Sequence, residues 1–433
     1  RPGQREVEPR AYWSLTEVAE RGMAEPFAGS EQDAVDELAR LLGNAVARQR
    51  VADVPLGALL SGGIDSSLVT ALMQAQSRRP VRSFTIGFDE TAYDEAHHAR
   101  AVAAHLGTEH TNLRLTARDA LDLVPALPTM YDEPFADSSQ LPTHLVMRLA
   151  RRHVTVALSG DGADEFFGGY PRYFLSVGIW RLLRWIPPWL RSVLGMLLTA
   201  VPARRLNALA APVARRIGIS QPGDKAHRLG HSLRHVRGLE DFYLTLMTQW
   251  PDAAELVAAG HMPPNLLDQR EHWPRLADRT AWIMAVEGQT YLPDDILTKV
   301  DRAAMAVSLE TRAPFLDRDV MEFAWRLPMA MKLRDGGGKW ILRELLDRHV
   351  PRSLVERPKM GFGIPLDQWL RGPLRDWAGD LLAEDRLRRE GYLHPQRITL
   401  AWQAQQHGER SFGYRLWPVL MFQAWLEEQG SSG

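Results

Sequence analysis

The sequence predicts an α/β protein with a parallel sheet and helices on both faces. Short runs rich in Val, Ile and Leu alternate with helical patterns over the first 170 residues, at the spacing of βαβ units. Two of these runs lead directly into glycine-rich turns, and beyond residue 170 the strand pattern gives way to helical stretches. We therefore expect an N-terminal sheet, a large helical insertion and a helical C-terminal part.

Each element near the sheet is predicted from its own pattern. Strands are expected at residues 54–60, 81–86, 109–115 and 154–158. Helices are expected to begin at Ser30, at Asp94 and at Thr116, two of them with an acidic residue three positions after the cap. Since ligands of parallel sheets bind at the carboxyl ends of strands, the turns after residues 60 and 158 are the expected site.

Composition limits the classes of function. The 433 residues are enough for two or three domains. The net charge of −1, with both signs mixed, gives no electrostatic reason to expect nucleic acid or an anionic membrane as the main partner. The absence of cysteine excludes disulfides, thiolate metal sites and a cysteine nucleophile. Because no apolar signal segment begins the chain, we expect a cytoplasmic protein.

The Trp- and Leu-rich run at residues 180–206 raises the question of contact with a membrane. It is too short to span a bilayer and is interrupted by Pro187, Pro188 and Arg191. A packed pair of helices is the favoured interpretation, and a helix lying on a membrane surface is the alternative.

The first turn, S-G-G-I-D-S at residues 61–66, follows an apolar strand and opens a helix. Gly62 and Gly63 have no Cβ, so backbone N–H groups can approach an anion, and the helix adds its positive end. Asp65 fits such a turn if it holds Mg²⁺ against phosphates. The turn is not a Walker A loop, because no G-K-[ST] follows. We interpret it as a site for the pyrophosphate part of a nucleotide.

The second turn, S-G-D-G-A-D-E at residues 159–165, directly follows another apolar strand. Its three carboxylates repel one another unless a cation lies among them. A divalent ion is the simplest candidate, and a solvated acidic turn is the alternative. Because both turns end strands of one predicted sheet, we expect them to lie together.

Two later blocks also carry charge. Residues 291–317 alternate charged and apolar side chains, which predicts a buried ion-pair network with a structural role. Residues 357–365 read R-P-K-M-G-F-G-I-P and hold Lys359 between prolines and glycines, as in a mobile loop.

In this order, the motifs resemble the synthetase domain of glutamine-dependent asparagine synthetases, which are ATP pyrophosphatases of the pyrophosphate-loop superfamily. The motifs are S-G-G-x-D-S, L-S-G-D-G-A-D-E-x-F-G-G-Y, the block from K-V-D-R to P-F-L-D, and R-P-K-x-G-F-G-x-P. The resemblance extends from Tyr12 to Glu428. NAD and GMP synthetases share the first motif and are not expected to carry the others. The resemblance implies an adenine nucleotide alpha hydrolase-like fold of the HUP type.

The resemblance also implies ATP and Mg²⁺ as cofactors and assigns residues to them. The first turn would bind pyrophosphate, while the strand ends and the second turn would hold adenosine. Asp65 and Asp164 would share Mg²⁺. Lys359 would neutralise charge on the departing pyrophosphate, and Asp161 would take a proton from the attacking nitrogen. The residues implied for ATP are Leu59, Ser61, Gly62, Gly63, Asp65, Ser66, Ile86, Ser159 and Gly160.

The same resemblance divides the chain. Residues 1–29 would be an arm left from a missing or separate glutaminase domain, and residues 430–433 a disordered tail. Residues 30–429 would form the synthetase domain. Its parts would be a nucleotide-binding core at 30–170, a helical insertion at 171–287, a substrate and lysine-loop region at 288–370 and C-terminal helices at 371–429.

Two departures from the family pattern matter. The family's glutaminase domain uses an N-terminal cysteine, and this chain contains no cysteine. Ammonia would therefore come from solution, from a missing domain or from a separate chain. Asp161 stands where several family members have glutamate, which is one methylene longer.

The leading interpretation is ATP-dependent amidation of aspartate to asparagine through a β-aspartyl-adenylate, releasing AMP and pyrophosphate. Alternatives are amidation of another carboxylate such as a uronic acid, a lactam or isopeptide cyclase, and a non-catalytic ATP-binding scaffold. Asp161 argues against the lactam-forming relatives, which tend to have tyrosine there, and Lys359 argues against the scaffold. The polar segment 132–139 is expected to help form the acceptor pocket. The expected partners are thus a small carboxylate and ammonia, and a homodimer is left open.

Overall fold

One parallel sheet organises the computed structural model, which describes residues 11–88, 96–202, 205–210, 222–250, 253, 256–260, 264–356, 364–408 and 411–431. The strand order is β3-β2-β1-β4-β5, and every neighbouring pair is parallel. This confirms the predicted α/β class. The strands are β1 Leu56–Leu59, β2 Arg82–Phe88, β3 Glu109–Leu115, β4 Val156–Leu158 and β5 Glu310–Arg312.

Helices supply most of the remaining described structure. Those of the N-terminal half are α1 Leu15–Ala24, α2 Glu31–Gln49, α3 Ile64–Ala75, α4 Ala96–Leu106, α5 Ala117–Leu121, α6 Leu127–Met130, α7 Gln140–Arg151, α8 Ala163–Phe167, α9 Pro171–Leu183 and α10 Pro188–Ala200. Those of the C-terminal half are α11 Pro222–His235, α12 Leu239–Met247, α13 Arg279–Glu287, α14 Thr298–Met305, α15 Arg318–Arg326, α16 Trp340–Asp347, α17 Arg352–Val355, α18 Leu366–Arg371, α19 Arg375–Leu381, α20 Glu384–Glu390, α21 Pro395–Gln406 and α22 Gly413–Ser431. A π-helical segment, Leu292–Leu297, leads into α14.

Two apolar cores lie on opposite faces of the sheet. Along β4, Ala157 packs into one core and the next residue, Leu158, into the other, as the alternation of side chains along a strand requires. Helices α2, α3, α15 and α16 contribute to the core that contains Leu158, while α7, α14 and α18–α22 contribute to the other. The predicted covering of both faces by helices is confirmed.

Helix α1 lies within the expected N-terminal arm, where the sequence pattern predicts no element. Its residues Leu15, Val18 and Ala19 are buried in the core. Gly22 lies directly on α15, since a Cβ at Gly22 would be 2.8 Å from the carbonyl carbon of Trp325. Leu15, Val18, Ala19 and Gly22 follow the i, i+3, i+4, i+7 spacing of an amphipathic helix over about two turns. The surrounding prolines, glycines and charges obscure this signal in the sequence.

The element ends differ from the predictions in several places. Strand β3 has the predicted bounds, whereas β1 is shorter than residues 54–60 and β4 is shorter than residues 154–158. Strand β5 was not predicted, because Glu310-Thr311-Arg312 is a polar edge strand without an apolar pattern. Helix α22 continues into the expected tail as far as Ser431. None of the helices in the described ranges is both long and apolar enough to cross a bilayer.

Candidate active site

The two glycine-rich turns meet at one edge of the sheet. Strands β1 and β4 are parallel neighbours, with Ala58 beside Leu158, so the turns that follow them emerge together. Gly160 lies against the first turn, because a Cβ there would be 2.8 Å from Asp65 Cβ and 2.9 Å from Ser66 N. The prediction that the two turns lie together is confirmed.

The first turn is held in shape by its two serines. Their Oγ atoms lie 2.9 Å apart, and Ser61 N donates to Ser66 Oγ at 3.1 Å. Gly62 has a φ of +73°, and a Cβ there would be 2.7 Å from Ala99 N. Glycine is therefore required at this position. Helix α3 follows with no side chain capping its N-terminus, a geometry suited to an anion.

A lysine that the sequence pattern does not predict lies between the two aspartates expected to hold Mg²⁺. Lys339 Nζ is 2.5 Å from Asp65 Oδ2 and 2.6 Å from Asp164 Oδ1, and the lysine side chain is only 7% exposed. Burial by itself would lower the pKa of Lys339, but the two carboxylates outweigh burial and raise it. The ammonium is therefore charged at neutral pH and offsets one of the two negative charges.

Glycines make room for this lysine. A Cβ at Gly169 would be 1.9 Å from Asp164 Oδ1 and 2.2 Å from Lys339 Cε. Gly338 lies equally close to Gly168, since its Cβ would be 2.0 Å from the Gly168 carbonyl oxygen. Lys339 follows with a φ of 61° and precedes α16. The run G-G-G-K-W at the start of a helix is the sequence signal that could have identified it.

The two aspartates are suited to holding a small cation. Their convergence on one ammonium means that oxygens from both turns can surround a single ion. Proteins commonly hold Mg²⁺ through one or two carboxylates together with substrate phosphates. Within the part of the chain that the structure describes, no group of three or more His, Cys, Asp or Glu side chains forms a metal site. A magnesium ion at Asp65 and Asp164 would thus complete its coordination with oxygens from water or from the nucleotide.

The two turns line a cavity of about 480 Å³, a size that suits a small molecule. Lys359 lies outside the described residues, and Gly62 and Gly63 belong to the turn without lining the cavity. The other predicted site residues all lie on the wall, namely Leu59, Ser61, Asp65, Ser66, Ile86, Ser159, Gly160, Asp161 and Asp164.

Part of the cavity wall is apolar. Leu59, the last residue of β1, and Ile86, within β2, are joined there by Phe84, Val146 and Met147. Such a wall suits a flat aromatic ring, which gains most from contact with apolar side chains.

Buried carboxyl groups form another part of the wall. Burial raises the pKa of Asp161 above its ordinary value. Burial, together with repulsion from Asp164, raises the pKa of Glu165 to about 7, and the Tyr170 hydroxyl donates a 2.7 Å hydrogen bond to Glu165. A carboxylate with a raised pKa is a stronger base, so Asp161 is suited to accepting a proton.

A second buried ion pair lies on the wall around Lys299. Lys299 Nζ is 2.5 Å from Asp137 Oδ2 and 3.8 Å from Asp295 Oδ1. Burial would raise the pKa of Asp137, but Lys299 and Ser139 outweigh burial and lower it. Burial and the nearby Asp137 charge raise the pKa of Asp295 to about 7. The structure thus places residues 137–139 of the expected acceptor segment on the cavity wall.

The predicted ion-pair network at residues 291–317 is only partly buried. Lys299 lies inside, but Arg302 pairs with Asp132 where the two side chains are 48% and 67% exposed. Arg312 pairs with the exposed Glu310. The prediction of one buried network is therefore wrong, because charge alternation by itself does not distinguish cavity-lining from solvent-facing positions.

A second cavity of about 680 Å³ adjoins the first and shares Asp137, Ser138, Tyr291 and Tyr414 with it. Arg172 stands on its wall. The guanidinium lies 3.9 Å from the ring centroid of Tyr170 and 4.8 Å from that of Tyr291. Two aromatic rings thus fix the orientation of this cation.

The fully buried carboxylate of Glu287 pairs with Arg172. Glu287 accepts two hydrogen bonds of 2.6 Å from Arg172, and one of 2.8 Å from each hydroxyl of Tyr173 and Tyr243. None of these residues was predicted, because they come from α9, α12 and α13 and no local motif connects them.

Comparisons with known proteins agree with the motifs. A family model described as Asparagine synthase matches residues 37–427. Glutamine-hydrolyzing asparagine synthetase 1 of Bacillus subtilis is 28% identical over 92% of this chain and 60% of its own length. A putative glutamine-hydrolyzing asparagine synthetase of Mycobacterium tuberculosis is 33% identical over 95% of this chain and 61% of its own length. Amidase chry2 of Gibberella zeae is 27% identical over 94% of this chain and 62% of its own length.

The chain spans 60% to 62% of the length of these curated relatives. A solved NMN synthetase from Francisella tularensis is 16% identical over 32% of this chain, with a TM-score of 0.24; this likeness is too slight to support a conclusion. The family model covers most of the sequence, and the matched residues include both turns and Lys339. The chain therefore belongs to the asparagine synthase family.

Proposed function

We propose that the chain is the synthetase part of an asparagine synthetase and amidates aspartate to asparagine with ATP. The observation that supports this most directly is the convergence of the turns after β1 and β4. They bring Asp65 and Asp164 to one cation position beside a 480 Å³ cavity with an apolar wall. That arrangement combines a place for Mg²⁺ and phosphates with a place for adenine.

The reaction has two steps. In the first, the β-carboxylate of aspartate attacks the α-phosphorus of ATP, the bond between the α- and β-phosphates breaks, and pyrophosphate leaves. In the second, ammonia attacks the acyl carbon, the bond to the AMP oxygen breaks, and the amide forms. The turn at Ser61–Ser66 would hold the pyrophosphate, with Mg²⁺ at Asp65 and Asp164 offsetting its charge. Asp161 would accept the proton that the attacking nitrogen loses.

The wall around Lys299 offers what an amino acid needs for recognition. An α-carboxylate requires a cation or hydrogen-bond donors, and an α-ammonium requires an anion. Lys299 and Ser138 supply the cation and a hydrogen-bond donor on the cavity wall. Asp295, close to Lys299, supplies the anion beside the cavity. Ammonia would come from solution or from glutamine hydrolysed by another domain or chain, because the sequence has no cysteine.

The second cavity favours one alternative. Its volume of about 680 Å³ exceeds that of the first, and Arg172 stands on its wall. A carboxylate larger than aspartate, such as a uronic acid, would have room there and a cation to meet it. The relative named as an amidase is compatible with an acceptor other than aspartate.

The test is pyrophosphate release from Mg-ATP with ammonium chloride, comparing aspartate, a panel of uronic acids and no acceptor. We expect release that depends on aspartate, with asparagine appearing in equal amount. Release with a uronic acid and not with aspartate would establish the larger acceptor instead. Absence of pyrophosphate release with every acceptor, including in the presence of an added glutaminase partner, would contradict the proposal.

Asp161→Asn separates the two steps. The amide cannot accept a proton, so amide formation should fall by roughly 10²–10⁴-fold, while adenylation, read as pyrophosphate exchange into ATP, continues. Chromatography of the amide product and an exchange assay on the same preparation provide both readouts. Equal loss of both activities would assign Asp161 to binding and not to proton transfer.

A further inference from the structure

Helices α9 and α10 form a hairpin whose exposed residues are apolar. On α9, Leu175, Ile179 and Leu182 are exposed at positions i, i+4 and i+7, which lie on one face of a helix. Two tryptophans flank the turn between the helices, and Trp185 is 78% and Trp189 68% exposed. These residues form a single apolar feature that is not covered by the described part of the chain.

Helix α10 continues the feature. Trp189, Val193, Met196 and Leu197 are exposed at positions i, i+4, i+7 and i+8. The residues that α10 does bury include its only charged side chain. We name the exposed apolar side chains of α9, α10 and their connection the hairpin surface; they are Leu175, Ile179, Leu182, Trp185, Trp189, Val193, Leu194, Met196 and Leu197.

Helix α10 buries its charged residue and exposes apolar ones, which is the reverse of an ordinary surface helix. Arg191 is only 5% exposed, and its guanidinium lies 5.2 Å from the ring centroid of Trp180. Gly195 packs against α11 so closely that a Cβ would be 2.4 Å from the carbonyl oxygen of Gly230. A helix that faces water buries its apolar residues and exposes its charges. The hairpin surface therefore has the composition of a helix face that contacts an apolar medium.

The charge of this region is of one sign. From Phe166 to Gly223 the sequence contains eight arginines, no lysine and no acidic residue. Arg181 and Arg184 are exposed beside the hairpin surface, and the Arg184 guanidinium lies 5.2 Å from the ring centroid of Trp185. The chain as a whole has a net charge of −1, so the positive charge is local to this region.

We propose that the hairpin surface seats the protein on an anionic lipid bilayer. Trp185 and Trp189 lie at the level of the headgroups, the leucines and methionine enter the acyl boundary, and Arg181 and Arg184 meet lipid phosphates. This combination of exposed Trp and Leu with arginine as the charged residue is the composition of helices that lie in a membrane interface. The contact involves one leaflet only.

A second copy of the chain fits this surface less well. A symmetric contact joins the same patch on both subunits. The arginines of one hairpin would then face those of the other, with no acidic residue between Phe166 and Gly223 to pair with them. Anionic lipid offers both the apolar interior and the complementary charge.

The test is flotation of the whole chain with vesicles of phosphatidylcholine alone and of phosphatidylcholine mixed with phosphatidylglycerol. We expect binding to the mixed vesicles, much weaker binding to the neutral ones, and partial release when about 1 M salt reduces the Debye length to roughly 3 Å. The variant W185S/W189S should lower the partition coefficient at least about tenfold, and R181E/R184E should remove the preference for anionic lipid.

Leu400→Gln is the matched control, because Leu400 is equally exposed but lies on α21, outside the hairpin. It should bind vesicles like the parent chain. All variants change exposed side chains, and circular dichroism verifies that each is folded. Absence of binding to anionic vesicles would overturn the proposal. If sedimentation then shows a dimer that W185S/W189S dissociates, the hairpin surface is an interface between copies.

Discussion

Lys339 offers the sharpest test of the site, because its one ammonium pairs with two carboxylates from distant parts of the chain. Lys339→Met keeps the length of the side chain and removes its charge. Removing one partner of a buried ion pair costs about 3–5 kcal/mol. Asp65 and Asp164 keep 20% and 19% of their side-chain surface exposed, so we expect a loss at the lower end, about 3 kcal/mol in the free energy of unfolding.

Magnesium should restore part of that loss in the variant alone. In the parent chain the ammonium lies between the two carboxylates, so Mg²⁺ without nucleotide has little to bind. In Lys339→Met the pair is open to the ion, and about 10 mM Mg²⁺ at a Kd of about 1 mM would return about 1.4 kcal/mol. Urea unfolding with and without MgCl2, and with NaCl at matched ionic strength, measures both effects.

Lys332→Met provides the matched control. Lys332 is also a fully buried lysine of the same region, but its Nζ lies 4.8 Å from the ring centroid of Trp325 and pairs with no carboxylate among the described residues. This variant should lose no stability and show no response to Mg²⁺. If Lys339→Met is as stable as the parent chain, or if Mg²⁺ alone stabilises the parent equally, the assignment of the cation position is refuted.

Three further outcomes follow from the structure and the motifs. Lys359→Ala should keep ATP binding, measured by calorimetry, and lose most pyrophosphate release; unchanged turnover would remove Lys359 from the mechanism. Glu287→Gln should cost about 3 kcal/mol or more in urea unfolding, because it leaves Arg172 without its buried counter-charge, and an unchanged midpoint would contradict this. Burial lowers the pKa of Lys332 to about 7, so the unfolded chain holds the extra proton above that pH and stability should rise from pH 7 towards 10.5. Lys332→Met should abolish that part of the rise, measured by urea unfolding across the pH range.

The sheet and its two turns are predictable because their signals are local. A strand of alternating or fully apolar residues followed by Gly, Ser and Asp predicts both the element and the polar atoms at its end, as residues 54–66 and 154–165 illustrate. Family resemblance then implies roles that local chemistry leaves open, such as the role of a base for Asp161.

The remaining site residues depend on contacts between distant segments. Lys339 acts on Asp65 across 274 positions of sequence, and nothing near Lys339 specifies its partners. The group of Glu287, Arg172, Tyr173 and Tyr243 likewise forms only when three helices pack. Strand β5 is missed for a related reason, since a polar edge strand acquires its conformation from its neighbour β4.

The position of Lys339 between Asp65 and Asp164 also constrains the order in which the protein forms during synthesis. Both aspartates emerge from the ribosome well before the lysine, which follows Asp164 by 175 residues. At about 5–20 residues per second, this interval is roughly 10–35 s. Residues 310–312, which form strand β5, are also synthesised late, so during this interval the nascent chain has neither the fifth strand of its sheet nor the counter-ion of its site. Throughout that interval the two carboxylates must remain apart, be solvated or share a cation from the surrounding solution.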